Sequence, residues 1–285
     1  MRALHAAHAR ADRVIVVDDG STDGTTDALR AAYPDVEVVR LTTSAGFTRA
    51  VNQGWAMAAS EIVLLLNSDT EVAPDALARV REAFERDPRL GIAGATLRFP
   101  DGRPQWSAGP SPTPVWLFGA ASGLPAALAR VPGVRRVRPE RQGDGPVPWV
   151  PATAMAVRRA VVDEIGRFDE TYALYAQDLA YCVAASARGW RVAVVPDVVV
   201  HHLRGGTVGA VSGDGQVDIV AMSRDLDAWL QRHGTPRQRA AWRLGLRARL
   251  CGRAVAGLVR MPSDRAAWRA TSARYREALR AIAPR

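Results

Sequence analysis

The sequence predicts an α/β domain, a mostly parallel sheet with helices on both faces, followed by an all-helical basic appendage. Three observations carry this. Short β-branched or leucine-rich runs alternate with helix-period segments from Val14 to Glu85, the pattern of a sheet covered on both sides. From about Val217 onward only helical periodicity remains. The charge is divided in the same way: residues 1–223 carry 23 arginines against 25 acids, residues 224–285 carry 15 against 4, and there is no lysine.

The run Ile62-Val63-Leu64-Leu65-Leu66 is too short for a helix core and reads as a strand buried on both faces, stopping at Asn67-Ser68-Asp69-Thr70. Val14 to Val17 is a second such run, ending in Asp18-Asp19-Gly20-Ser21-Thr22-Asp23-Gly24-Thr25 and leading into a helix to about Ala32. Between them lie a strand over Val36–Leu41 and a helix over Phe47–Ala59. A helix from Pro74 to Glu85, with proline in its first turn, and a strand over Leu90–Phe99 follow. Pro100-Asp101-Gly102 is a turn, and the Pro/Gly-rich stretch from Ser107 to Pro148 reads as a long loop. Ala152–Val157 is apolar, and helices are expected over Arg159–Ile165 and Gln177–Arg188. Short strands over Arg191–Val195 and Val198–Val200 precede His201-His202. The appendage divides into helices over Val217–His233, Arg237–Arg260 and Asp264–Ala283.

At 285 residues and 48% apolar, the chain holds one large domain plus an appendage, divided here at residues 1–215 and 216–285. Cys182 and Cys251 stand in no metal-ligand spacing, and a reducing compartment is the default. Met1 to Arg13 has no apolar core of a secretory leader, and the charge-free stretch Ser107–Ala129 contains four prolines and three glycines, which reads as a loop and not a span. The first βα turn lacks G-x-G-x-x-G, which argues against a dinucleotide dehydrogenase, and no Gly-rich loop bearing lysine or arginine marks a nucleotidyltransferase.

Two strands end in carboxylates, Asp18/Asp19 and Asp69, and open α/β sheets bind ligands at such ends. Clustered carboxylates repel unless a positive group lies between them, and a divalent ion with a phosphorylated ligand is a common solution. A helix cap is the other role open to Asp69, just as a strand-edge polar position is open to His201 and His202.

These strings, taken in order, resemble the family-2 glycosyltransferases. Val14–Thr25 resembles their first nucleotide-binding turn, and Leu64–Thr70 their D-x-D strand end in the N-x-D form of rhamnosyltransferase-like members. Ser44-Ala45-Gly46-Phe47 with Asn52-Gln53-Gly54 is similar to the G-F-x-x-x-x-N-x-G segment. Asp87–Gly91, Pro100–Gly102, Arg158-Arg159, Gly166–Glu170 and Gly189-Trp190 continue the series. The resemblance implies a GT-A fold and inverting transfer from a nucleotide-diphosphate sugar to a glycan or lipid-linked acceptor. It places donor binding at Asp18, Asp19, Ser21, Gly46, Asn52 and Asp69, a divalent metal (Mg2+ or Mn2+) at Asp69 with His201 or His202, and the general base at Asp178.

Where the family reads E-D-x-D-L-x-x-R, this chain has Gln177-Asp178-Leu179-Ala180 and Ala184. Loss of the neighbouring acid is expected to make Asp178 less basic, and a helix cap is its alternative role. A glycosyltransferase-like binding protein without turnover is the alternative function. The family's opening strand, which would pair beside Val14, is expected to be absent, with Met1–Ala11 as the tail of the helix that follows it. Residues 224–285, with Trp229, Trp242, Trp268, Leu244, Leu246, Leu250 and Val255 among the arginines, suit an anionic membrane surface. Nucleic acid is not expected, since no reading motif accompanies the charge. The expected location is cytoplasmic, peripheral on the inner membrane face.

Overall fold

The computed structural model describes residues 11–124, 145–203, 218–259 and 265–282. The expected helix tail over Met1–Ala11, except its last residue, and the part of the long loop over 125–144 lie outside them, as does the expected boundary at 215/216. Two compact units form: residues 11–109 with 145–203, and residues 110–124 with 218–259 and 265–282.

The first unit is α/β. In chain order it contains β1 (Ile15–Asp18), α1 (Thr25–Ala32), β2 (Glu37–Arg40), α2 (Phe47–Met57), β3 (Ile62–Leu66), β4 (Thr70–Val72), α3 (Ala76–Arg86) and β5 (Leu90–Arg98). After the excursion into the second unit come β6 (Gly145–Pro146), β7 (Ala154–Arg158), α5 (Arg159–Ile165), α6 (Gln177–Ala187) and β8 (Arg191–His202). The second unit holds α4 (Pro114–Ser122), α7 (Ile219–His233), α8 (Pro236–Val259) and α9 (Arg265–Ala281).

The α/β class stands, but the sheet is mixed and not mostly parallel. β1 and β2 pair in parallel as a sheet of their own; the larger sheet runs β3-β7-β5-β8-β4, with β6 on β8. β3 and β5 both lie antiparallel to β7, and β5 is parallel to β8. The three long strands β3, β5 and β8 therefore run the same way, as expected. β7 departs because it follows a long excursion and enters from the opposite end, where a direct βαβ crossover would have kept it parallel. β3 was expected to be covered on both faces. Only Val63 of its five residues is fully buried, because β7 is its only described strand neighbour. The side of β1 away from β2, where the family's opening strand was expected to pair, likewise has no strand partner among the described residues.

The core explains the layering. Val72, Ala76, Val80 and Phe84 pack on Leu90, Ala93, Ala95, Leu97, Ala156, Ala193 and Val200, so the apolar stripe of α3 covers one face. α5 and α6 supply further buried side chains, among them Val161, Leu179, Cys182 and Ala185. Trp55 of α2 meets Phe168 edge-on with centroids 5.2 Å apart, and Tyr181 of α6 at 5.3 Å. Trp55 is buried in that cluster.

Arg158 joins three elements of this unit. Its Nε donates to the Leu90 carbonyl (3.0 Å), and Nη2 to the carbonyls of Phe84 (2.8 Å) and Asp87 (3.3 Å) at the end of α3. Arg158→Met leaves those carbonyls without their charged donor and is expected to cost about 2–4 kcal/mol. Urea denaturation checks this; a change below about 0.5 kcal/mol, the range of ordinary surface substitutions, contradicts it.

The second unit is helical, and α4 is its surprise: Pro114–Ser122 was read as loop. Thr113 caps it by accepting from the Trp116 N–H (3.2 Å), with Pro114 in the first position. Gly245 of α8 lets α4 approach closely; a Cβ there would sit 2.7 Å from Ala121 Cβ and from the Phe118 carbonyl. Gln238 Nε2 also donates to the Pro112 carbonyl (2.7 Å). Residues 110–124 thus group with the C-terminal helices, and not with the α/β unit to which the sequence assigned them. Trp229, Leu230, Trp242, Leu246 and Tyr275 form the buried interior of this unit.

Candidate active site

The carboxyl ends of β3, β5 and β8 share one edge of the sheet, and the chemistry-bearing residues gather there. Asp69 ends the turn Asn67–Thr70, which Thr70 Oγ1 closes onto the Asn67 carbonyl (2.7 Å). A helix cap is not its role. β4 intervenes before α3, whose N-cap position is Asp75. β4 is also what places Asp69, since Thr70 pairs with His202 and the Leu203 N–H donates to the Asp69 carbonyl (2.8 Å).

The two histidines separate. Alternation along a strand points neighbours to opposite faces, and His202 is the one whose Nε2 lies 3.4 Å from Asp69 Oδ1. His202 is half-buried and Asp69 buried. β8 carries a bulge on the way, since Ala95 pairs with Val195 but Thr96 with Val199. This accommodates Pro196 and resets the facing of the last residues.

Gln105 was missed by sequence reasoning. It follows the Pro100-Asp101-Gly102 turn, on a segment that folds back along β5 with Gln105 N–H donating to the Leu97 carbonyl (2.9 Å). Its side chain meets His202 twice, Nε2 donating to the His202 carbonyl (2.7 Å) and Oε1 facing Nδ1 (3.0 Å). The turn signal was visible; a single buried glutamine beyond it carries no periodic signature.

Asp178 enters α6 as its second residue, after Ala176, which takes a left-handed φ of 65°. Such a conformation disfavours a residue with a Cβ and fixes the entry of the helix. Oδ1 accepts from the Leu179 N–H (2.8 Å) and Oδ2 from the Ala152 N–H (3.3 Å). The next residue, Thr153, accepts from the Asn67 N–H (3.0 Å). Consecutive main-chain positions thus hold Asp178 on one side and the Asp69 turn on the other. Burial pushes the Asp178 carboxyl up to about 6, against the hydrogen bonds from Leu179 and Ala152 that favour its ionised form. Desolvation, and not a neighbouring charge, is thus what sets the Asp178 carboxyl above the ordinary aspartate range.

The first turn is built from its own polar groups. Asp18 accepts from the Ser21 N–H (2.9 Å) and from the Thr26 hydroxyl. Burial pulls its pKa up, but those bonds and the charge of Arg40 outweigh it and leave it lowered. Asp19 holds the 44–46 turn, accepting from Ser44 Oγ (2.7 Å), Ala45 N–H (2.6 Å) and Gly46 N–H (3.1 Å). Gly20, at φ 82°, lies against that turn; a Cβ would stand 2.8 Å from Ser44 N. Asn52 departs from its expected donor contact: Nδ2 donates to the Phe168 carbonyl (2.9 Å) and Oδ1 accepts from its N–H (3.1 Å), tying α2 to the loop before α6.

Asp69 and His202 offer one carboxylate oxygen donor and one imidazole nitrogen, a set that suits Mg2+ or Mn2+ only if diphosphate oxygens or water complete the shell. Among the described residues no cluster of three or more acidic, histidine or cysteine side chains is placed to hold an ion alone. The residues fit a cation shared with a phosphorylated ligand.

Residues 2–166 match the family model described as glycosyl transferase family 2. The chain belongs to this family. An N-acetylglucosaminyl-diphospho-decaprenol L-rhamnosyltransferase from Mycobacterium tuberculosis is 30% identical over 220 residues, 71% of this chain and 70% of that protein. Among solved structures, a mannosyltransferase from Pyrobaculum calidifontis, in complex with GDP-Man and Mn2+, aligns with a TM-score of 0.51 at 20% identity, over 94% of this chain and 76% of that one. Residues 1–349 of TarS from S. aureus align equally well, at 16% identity over 99% and 85%. These likenesses show the GT-A fold. The chain is thus a family-2 glycosyltransferase of rhamnosyltransferase-like type. The family match ends before α6 and β8, so Asp178 and His202 are placed by geometry.

Proposed function

We propose that this glycosyltransferase moves a sugar, L-rhamnose being the first candidate, from a nucleotide-diphosphate donor to a hydroxyl of a lipid-linked glycan, with inversion. The observation that carries this is the joint anchoring of Asp178 and the Asp69 turn on residues 152–153. It ties a carboxylate of raised pKa and the turn that carries Asp69 to neighbouring main-chain positions, which supports a shared site with the Asp69–His202 pair. The acceptor hydroxyl attacks the anomeric carbon, Asp178 takes its proton, and the bond to the diphosphate oxygen breaks on the opposite side. Asp69 and His202 would hold a divalent ion, which when bound would neutralise charge on the departing diphosphate. Asp18, Asp19, Ser21 and Gly46 border the turn that receives the nucleotide. The M. tuberculosis relative's name supports a polyprenyl-diphosphate acceptor. Incubating the protein with nucleotide-diphosphate L-rhamnose, Mn2+ and a polyprenyl-diphosphate N-acetylglucosamine tests it: a new disaccharide lipid is expected, and no transfer from this or any other nucleotide sugar contradicts the reading. That last outcome is the one a binding protein without turnover predicts.

The second unit is proposed to rest on an anionic membrane surface from the cytoplasmic side. No helix among the described residues is long and apolar enough to cross a membrane. Trp229, Trp242 and Leu246 are buried inside the unit, and Trp268 lies under Arg253, so these do not serve as membrane contacts. What α8 leaves outward is a stripe of Ala240, Leu244, Ala248, Cys251 and Val255, all exposed, on a helix with six arginines and no acid. Leu244 and Val255 are each 58% exposed. Flotation with vesicles containing anionic lipid is expected for the wild type and lost in a Leu244→Glu, Val255→Glu double variant; equal flotation of both contradicts this surface.

A further inference from the structure

We propose that Gln105 is a positioning residue that fixes the tautomer of His202 and aims its Nε2 lone pair at the Asp69 carboxylate, which rests on the metal reading above. The His202 carbonyl accepts, so the Gln105 atom 2.7 Å from it must be the donor, Nε2. That fixes the amide: Oε1 is the end 3.0 Å from His202 Nδ1. An amide oxygen only accepts, so Nδ1 carries the hydrogen. In the neutral ring Nε2 is then the bare nitrogen, and it is Nε2 that lies 3.4 Å from Asp69 Oδ1. A bare nitrogen and a carboxylate oxygen at that separation converge on a shared cation, with the imidazole already in the tautomer that ligates through Nε2.

Gln105 can enforce this because it is itself held. It is only 6% exposed, its backbone N–H donates to Leu97, and Ser107 Oγ accepts from the Leu97 N–H (2.9 Å) and donates to the Gln105 carbonyl (3.2 Å). The end of β5 that carries this segment pairs directly with the end of β8, Arg98 opposite His201. The glutamine and the histidine thus sit on adjoining, hydrogen-bonded backbone, and the ring cannot flip without losing both the Nδ1 contact with Gln105 and the approach of Nε2 to Asp69.

The test uses two readouts on the full chain. Two-bond 1H–15N correlation spectra of the metal-free protein at pH 8, with His202 assigned by its loss in His202→Gln, report the tautomer. Mn2+ alone, titrated by the paramagnetic signal of the free ion, reports affinity. The wild type is expected to show His202 as the Nδ1–H form. Gln105→Leu is expected to shift it toward the Nε2–H form and to weaken Mn2+ about 10–100-fold, the range for residues behind a metal ligand. Gln105→Glu keeps an acceptor for Nδ1–H and is expected to restore that tautomer, which guards against a leucine variant that fails to fold. A wild-type His202 in the Nε2–H form, or an unchanged tautomer and Mn2+ affinity in Gln105→Leu, overturns the proposal. Correct tautomers in all three proteins without Mn2+ binding to the wild type would sink the metal reading while leaving the role of Gln105 intact.

Discussion

An Asp178→Asn protein is expected to lose turnover by about 10²–10⁴-fold, the range for removal of a general base, and at the same time to gain stability. The carboxyl titrates near 6 in the folded protein, raised from 3.8 by burial. Because the folded value is the higher one, the group favours folding fully below about pH 4 and loses that contribution as pH rises to 6 and beyond. At pH 7 the ionised form therefore costs the fold about 2 kcal/mol, after allowance for partial exposure. The amide has no charge to desolvate and can still accept from Leu179 or Ala152, so its urea midpoint at pH 7 is expected above that of the wild type, and the difference is expected to vanish near pH 4. A slower enzyme that is also less stable at pH 7 would mean that Asp178 acts as a helix-entry residue and not as the base.

Asp69→Ala is expected to have the second large effect. In the proposed site, removal of the carboxylate would leave His202 as the remaining candidate cation ligand among the described residues, and the loss of several kcal/mol of charge neutralisation would correspond to about 10³-fold or more in kcat/KM. Asp69 is buried at the start of β4, where its backbone carbonyl is bonded to Leu203, and that bond survives the substitution. The fold is therefore expected to hold by circular dichroism while the Mn2+ concentration needed for half-maximal transfer rises or the metal response disappears. An Asp69→Ala protein with the wild-type metal response would remove Asp69 from the site.

Much of the framework was legible because it rests on local signals. β3 and α5 fall on their expected residues, Ile62–Leu66 and Arg159–Ile165, and α1 on Thr25–Ala32, since apolar runs and polar turns bound them sharply. Asp69 and Asp178 were singled out as candidates through the order of motifs. Three things were hidden, each for a physical reason. β4 is only Thr-Glu-Val, too short for any period, yet its pairing with β8 is what brings His202 to Asp69 and selects it over His201. α4 is apolar on every side and embedded among prolines and glycines, so composition masked the Thr113-Pro114 start. The direction of β7 depends on how the chain returns from a long excursion, which no local pattern encodes. The upward shift of Asp178 was not legible either, because burial cannot be read along the chain.

Whether the half-buried Asp178 carboxylate acts as the base is tested most directly by the pH dependence of kcat/KM for sugar transfer, since that ratio reports groups in the free enzyme. The wild type is expected to lose activity tenfold per unit below a midpoint near pH 6, following the folded-state value of Asp178. The residual activity of Asp178→Asn is expected to lack that limb. A wild-type profile that is flat from pH 5 to 8, or the same acid limb in Asp178→Asn, would contradict the assignment.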